Sequence, residues 1–199
     1  MLRRALLMLA LLGLASPVMA ETWTIDPNNS EALFVVRHRG VNFVHGFFHK
    51  ITGTVDFDAG DVRRSMVDVT IDVSTVDTGV APRDEHLRSA DFFEVERYPV
   101  MTFTSKRVEP ASPGRFRLVG DFTLKGVTKE IVLDITQPAS PVSLREGVWV
   151  SGASATTTIN RRDFGVSYGG FLAGGVPDIG DQVDITINLE LQRTTETSE

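Results

Sequence analysis

From Thr22 onward the chain is a succession of segments in which apolar and polar residues alternate, the two-residue period that sends successive side chains to opposite faces of a β-strand. The clearest is Val67 to Val73, where Val67, Val69, Ile71 and Val73 alternate with Asp68, Thr70 and Asp72. Near the other end Val183, Ile185, Ile187, Leu189 and Leu191 stand against Asp184, Thr186, Asn188 and Glu190. Between them, Phe116, Leu118, Phe122 and Leu124 share one face, and Ile131, Leu133 and Ile135 another. Earlier, Thr22 to Asp26 reads as a short strand closed by Pro27-Asn28-Asn29, and Ala32, Phe34 and Val36 share a face of Ser30 to Arg37. Phe47, Ile51, Val55 and Phe57 are assigned to one face of a further strand, opposite Thr52, Thr54, Asp56 and Asp58. A Thr- and Ser-rich strand spans Val148 to Ile159. Turns are expected at Asp58-Ala59-Gly60-Asp61, Pro110 to Gly114 and Lys125-Gly126; Pro138 to Pro141 breaks the pattern, and a glycine-rich loop runs from about Asp163 to Pro177.

One stretch does not alternate. Pro82 to Phe103 opens with proline at a first helical position, places Asp84 and Glu85 in the first turn, and carries Leu87 and Asp91 before the paired rings Phe92 and Phe93. It is predicted to be a short helix and loop that plugs a β-meander, returning to a strand through Tyr98-Pro99 with Met101 and Phe103 on one face.

About eight strands with one apolar face each, joined mostly by short turns, must bury those faces against one another. The fold class is therefore all-β, and closure into an eight-stranded antiparallel barrel is preferred to a sandwich because closure alone removes the sheet edges. Strands tilted by roughly 40° would enclose a space on the order of 25 to 30 Å deep.

The first twenty residues stand apart. Arg3 and Arg4 precede an apolar run from Ala5 to about Ala15, then Ser16-Pro17 and Val18-Met19-Ala20, the form of a cleaved secretory signal; the run is too short to span a bilayer. Residues 1–20 are thus assigned to a leader, 21–192 to one domain and 193–199 to a disordered tail. The expected location is the periplasm, or the exterior if the source is not Gram-negative. Losing Arg3 and Arg4 takes the formal charge from −6 to −8, which argues against nucleic acid as a partner. There is no cysteine, hence no disulfide framework and no thiol for a lipid anchor, so no stable membrane anchor is expected.

Five segments, in order, resemble the YceI-like family of exported polyisoprenoid-binding proteins. They are Phe34-Val35-Val36-Arg37-His38 with Gly40; Gly46-Phe47; Arg83-Asp84-Glu85-His86-Leu87-Arg88 through Asp91-Phe92-Phe93 to Tyr98-Pro99; Gly120-Asp121-Phe122 through Gly126-Val127-Thr128-Lys129; and Arg162-Asp163-Phe164-Gly165. The resemblance implies a lipocalin-like barrel with a short helical plug, holding an isoprenoid lipid of the polyprenyl quinone or polyprenyl phosphate type, with no catalytic cofactor. Under that reading Phe34, Val36, Phe47, Ile51, Phe92, Phe93, Met101, Phe103 and Phe122 are candidate cavity-lining residues, and His38, Arg83, His86 and Arg162 are candidates for the head group.

Asp84 and His86 could serve a small hydrolase or isomerase acting on a long-chain substrate, while the cluster of Arg83, Asp84 and His86 reads more simply as a structural fastening of the plug. His45 and His49, four residues apart on a strand, are about 13 Å from each other and cannot share an ion, so no metal site is assigned. No G-x-S-x-G elbow or phosphate-binding loop is found. The favoured reading is a binding protein without chemistry that sequesters or carries the lipid. A stress-related envelope interaction module is the remaining rival, and neither a homodimer nor envelope membrane proteins as donors or acceptors are decided by the sequence.

Overall fold

The computed structural model describes residues 20–195, so the leader (save Ala20) and the last four residues of the expected tail lie outside the described region. The elements are β1 (Glu21–Ile25), β2 (Glu31–His38), β3 (Asn42–Phe48), β4 (Ile51–Phe57), β5 (Met66–Asp72), β6 (Val76–Asp77), α1 (Ala81–Arg88), β7 (Val100–Ser112), β8 (Arg115–Leu124), β9 (Val127–Thr136), β10 (Val142–Arg145), β11 (Val148–Asn160) and β12 (Ile179–Thr194). Every strand pairing is antiparallel.

Three staves of the barrel are each broken in two. β1 and β2 lie consecutively along one edge of β12, β3 and β4 follow beside them, and β5 and β6 come next. Counted as single staves, these three and β7, β8, β9, β11 and β12 form an eight-stranded up-and-down barrel in chain order. It is closed because β12 pairs with β11 on one side and with β1 and β2 on the other. β10 hangs from the end of β11 as a short extra hairpin that the alternation did not indicate.

The breaks have local causes. Between β1 and β2, the Asp26 carboxylate accepts the Asn28 N–H at 2.9 Å and the Asn29 amide at 3.0 Å, a turn that competes with the ladder. Between β5 and β6, Asp72 accepts both the N–H and hydroxyl of Ser74 and starts a 3₁₀ turn over Val73–Thr75. These bonds hold both carboxyls below their ordinary value, led by the Asn28 N–H for Asp26 and the Ser74 hydroxyl for Asp72.

α1 begins with Pro82 in its first turn and Asp84 behind it. Asp84, although buried, accepts the Thr78 N–H at 2.8 Å and its hydroxyl, while Arg83 donates to the same hydroxyl at 2.7 Å and to the Thr78 carbonyl at 2.9 Å. These bonds pin the helix across one end of the barrel, here called the upper end. The other end is closed by the turn from Asp58 to Ser65: Asp58 accepts from the N–H groups of Gly60 and Asp61, both at 2.9 Å, and pairs with Arg64. Among the described residues no helix is long and apolar enough to cross a membrane.

Candidate ligand cavity

The inward stripes do not fill the barrel. They leave a cavity of about 220 Å³ running from Phe57, Val62, Phe116 and Pro138 at the lower end to Leu87, Phe92 and Phe93 of the plug. A dry apolar cavity of about 150 Å³ already takes up benzene. The wall is built almost wholly of aliphatic and aromatic side chains, so a guest's hydrocarbon would be removed from water without orphaning polar groups.

Two glycines help to keep the bore open. Phe34 lies across Gly46 of the neighbouring stave, and Phe103 lies across Gly120; a Cβ at either glycine would strike the ring. Without one, each ring lies against the wall and not across the lumen. Phe34 then meets Phe48 with centroids 5.6 Å apart, and Phe48 meets Phe93 of the plug at the same separation.

Of the sequence candidates, Phe34, Val36, Phe92, Phe93, Met101, Phe103 and Phe122 are in the cavity wall. Phe47 and Ile51 are not. The break at His49-Lys50 reverses the alternation, so on β3 it is Phe48 that points in, whereas Phe47 stacks on His49 outside with centroids 5.8 Å apart. Ile51 is buried in the core, 0% exposed, but does not reach the void.

The four head-group candidates are all at the upper end and none is in the wall. Arg83 is taken up by Thr78. Arg162 donates to Asp181 at 2.6 Å. His38 has Nε2 4.0 Å from Asp178. His86 has Nε2 2.9 Å from Asp91, not Asp84, so the acid–base couple read from the sequence does not assemble.

The charged group that does reach the wall is Arg161, only 4% exposed. Its Nε donates to the Gly180 carbonyl at 2.9 Å, Nη1 to the carbonyls of Val166 and Tyr168 at 2.8 and 2.7 Å, and Nη2 to the Ile179 carbonyl and Asp181 at 3.2 and 3.3 Å. One guanidinium thereby fastens both ends of the loop between β11 and β12. Burial pushes its pKa down, and Arg162 beside it adds to the effect. Its position was legible in principle: Ala153, Ala155, Thr157 and Ile159 point inward, and Arg161 is the next residue of that parity.

Above Phe92 the barrier to solvent is thin. The Phe92 ring meets His86 at 5.0 Å and Tyr168 at 4.8 Å, and of these outer rings Tyr168 is exposed and His86 half-buried. At the lower end, by contrast, Ser65, Asp58 and Val62 seat the closing turn firmly, with the first two buried. The lower end is thus held by a pinned turn, and at the upper end, between α1 and the β11–β12 loop, a mouth one layer of side chains thick separates the cavity from solvent.

The comparisons with known proteins agree with this architecture. The YceI-like domain model matches residues 23–191. A UPF0312 protein of Ectopseudomonas mendocina is 35% identical over 163 residues, covering 79% of this chain and 82% of the relative. The crystal structure of Burkholderia cenocepacia BcnA is similar with a TM-score of 0.71 at 23% identity, over 83% of this chain and 98% of that one. A polyisoprenoid binding domain from Saccharophagus degradans, implicated in plant cell wall breakdown, gives a TM-score of 0.60 at 18% identity, over 88% and 99% of the two chains. With stave, plug and mouth loop all inside the matched region, this chain belongs to the YceI-like family.

Proposed function

We propose that the protein binds an amphipathic isoprenoid lipid and acts as its carrier or reservoir in the periplasm, without chemical turnover. The observation that carries the reading is the apolar cavity that runs the length of the barrel to a thin mouth beneath the plug. A branched hydrocarbon chain matches an aliphatic and aromatic wall, and each Å² of apolar surface it hides contributes about 25 cal/mol. The likeness to a domain named for polyisoprenoid binding supports the class of guest. The head group, of quinone or phosphate type, then lies beside His86, Asp91 and Tyr168, where polar atoms and solvent meet the end of the bore.

The test is native mass spectrometry of the purified mature chain, then organic extraction of what it releases. A stoichiometric isoprenoid is expected. A preparation that neither carries nor takes up any long-chain isoprenoid when offered one would overturn the proposal. Turnover of such a lipid, lost in His86→Ala, would instead favour the enzyme reading.

A further inference from the structure

The upper end carries an apolar surface that the cavity does not use. Val41, at the turn between β2 and β3, is 84% exposed, and Phe43 just after it is 48% exposed. Facing them, the β11–β12 loop folds into a small hairpin: Phe171 bridges to Pro177 and the Leu172 N–H donates to the Val176 carbonyl at 2.8 Å. Phe171 at its start is 72% exposed, with Leu172 and Val176 exposed beside it. The two tips adjoin, because a Cβ at Gly40 would be 2.8 Å from Val176 and the Arg39 N–H donates to the Asp178 carbonyl at 2.8 Å. Five large apolar side chains therefore project together next to the mouth, on convex tips and not in a groove, which does not resemble the seat of a peptide or a helix.

The two tips themselves are charged against the chain, while the acids near the mouth, Glu85 and Asp91, lie on the plug side of it, Asp91 beside His86. The protein is −6 overall, yet residues 37–43 and 165–178 together hold Arg37 and Arg39 and a single acid, Asp178, which Arg39 engages at 3.0 Å. Arg37 makes no ion pair among the described residues and lies 4.7 Å over the Phe43 ring, a cation held at the rim of the apolar patch. Behind the tips, Arg162 with Asp181 and Lys129 with Asp163 cancel each other. Exposed aromatic and aliphatic tips flanked by arginine are the arrangement that settles into the boundary between lipid head groups and acyl chains.

The geometry points to a docking surface for an anionic phospholipid bilayer, formed by Val41, Phe43, Phe171, Leu172 and Val176 with Arg37 at its edge. Because Arg161 fastens the same loop to the cavity wall, docking brings the mouth to the lipid, so a guest moves between bilayer and bore without crossing open water. What is collected rests on the carrier reading above; the docking itself does not.

The experiment is co-sedimentation of the mature protein with vesicles of phosphatidylglycerol and phosphatidylethanolamine containing no isoprenoid, beside vesicles of phosphatidylcholine alone. Binding to the anionic vesicles is expected, weakened by salt, by Arg37→Glu, and by roughly tenfold or more in Phe171→Ser/Leu172→Ser. Val142→Ser/Leu144→Ser, which removes equally exposed side chains from β10 at the lower end, should leave binding unchanged. All the substituted side chains are exposed, and circular dichroism confirms that each variant folds. Equal partition of parent and Phe171→Ser/Leu172→Ser would overturn the inference. So would a parent that sediments as a dimer dissolved by that variant while vesicles leave it free, since the patch would then cover a second copy. Isoprenoid uptake is scored separately from detergent-dispersed lipid: uptake without vesicle binding sinks the docking surface alone, and vesicle binding without uptake sinks the carrier reading alone.

Discussion

Arg161 concentrates at one residue what several loop contacts would otherwise have to supply. All of its donor groups are engaged, mostly by backbone carbonyls that no other side chain serves in its place. Arg161→Met should therefore lower stability by about 3 kcal/mol, through orphaned carbonyls and a freed loop, as read by denaturant unfolding; Arg161→Lys, lacking the planar fork, should recover less than half. A neutral Arg161→Met would show that the loop holds itself. The residue also marks where sequence reading stopped short. Its shared parity with Ala153, Ala155, Thr157 and Ile159 is the one signal for it, whereas the family resemblance indicates its neighbour Arg162, whose side chain turns outward to Asp181. Phe47 failed for the opposite reason. Its parity matches Ile51 and Val55 only if the strand is continuous, and nothing in His49-Lys50 announces that the stave breaks there.

Among the elements, pairing partners are what single-strand patterns cannot show. The inward stripes of β2, β5, β8, β9 and β12 follow the alternation, and the helical plug falls where the alternation lapses. Which stave lies opposite which glycine depends on register, and register decides the bore. The pairing of Phe34 with Gly46 is the clearest case. Gly46→Ala should drive the Phe34 ring off the wall, costing about 1–3 kcal/mol of stability and narrowing the cavity. The check is paired: thermal unfolding of the variant, and its uptake of an apolar fluorescent probe, which should fall. Uptake at the parent's level would mean that the rings do not set the width of the bore.

Across the whole molecule, three carboxylates in turns tie stability to pH. Asp26, Asp58 and Asp72 sit at two stave breaks and the floor, each with its carboxyl held below the ordinary value near 3.8; for Asp58 the leading cause is the Asp61 N–H. A carboxyl whose pKa is depressed in the folded state contributes stability that is present above the unfolded value and lost as pH falls through the folded one. The denaturation midpoint is therefore expected to hold from pH 7 to about 5 and to drop below about pH 4. Replacing the three by Asn should lower the midpoint at pH 7 and flatten the acid-side fall; an unchanged fall would place the acid sensitivity elsewhere.

The closing stave also sets an order in time. β12 is the last of the described strands, yet it supplies the edge for β1, β2 and β11 together, and its pair Thr24 with Gln192 joins nearly the first and last described residues. Until Ile179 onward has been synthesised, β1 and β2 can pair with β4 and β3, but their other edge has no partner. At ordinary elongation rates that interval is on the order of ten seconds. Throughout it the nascent chain is an open meander whose early strands pair only with their next neighbours, and the barrel closes only once β12 has been made.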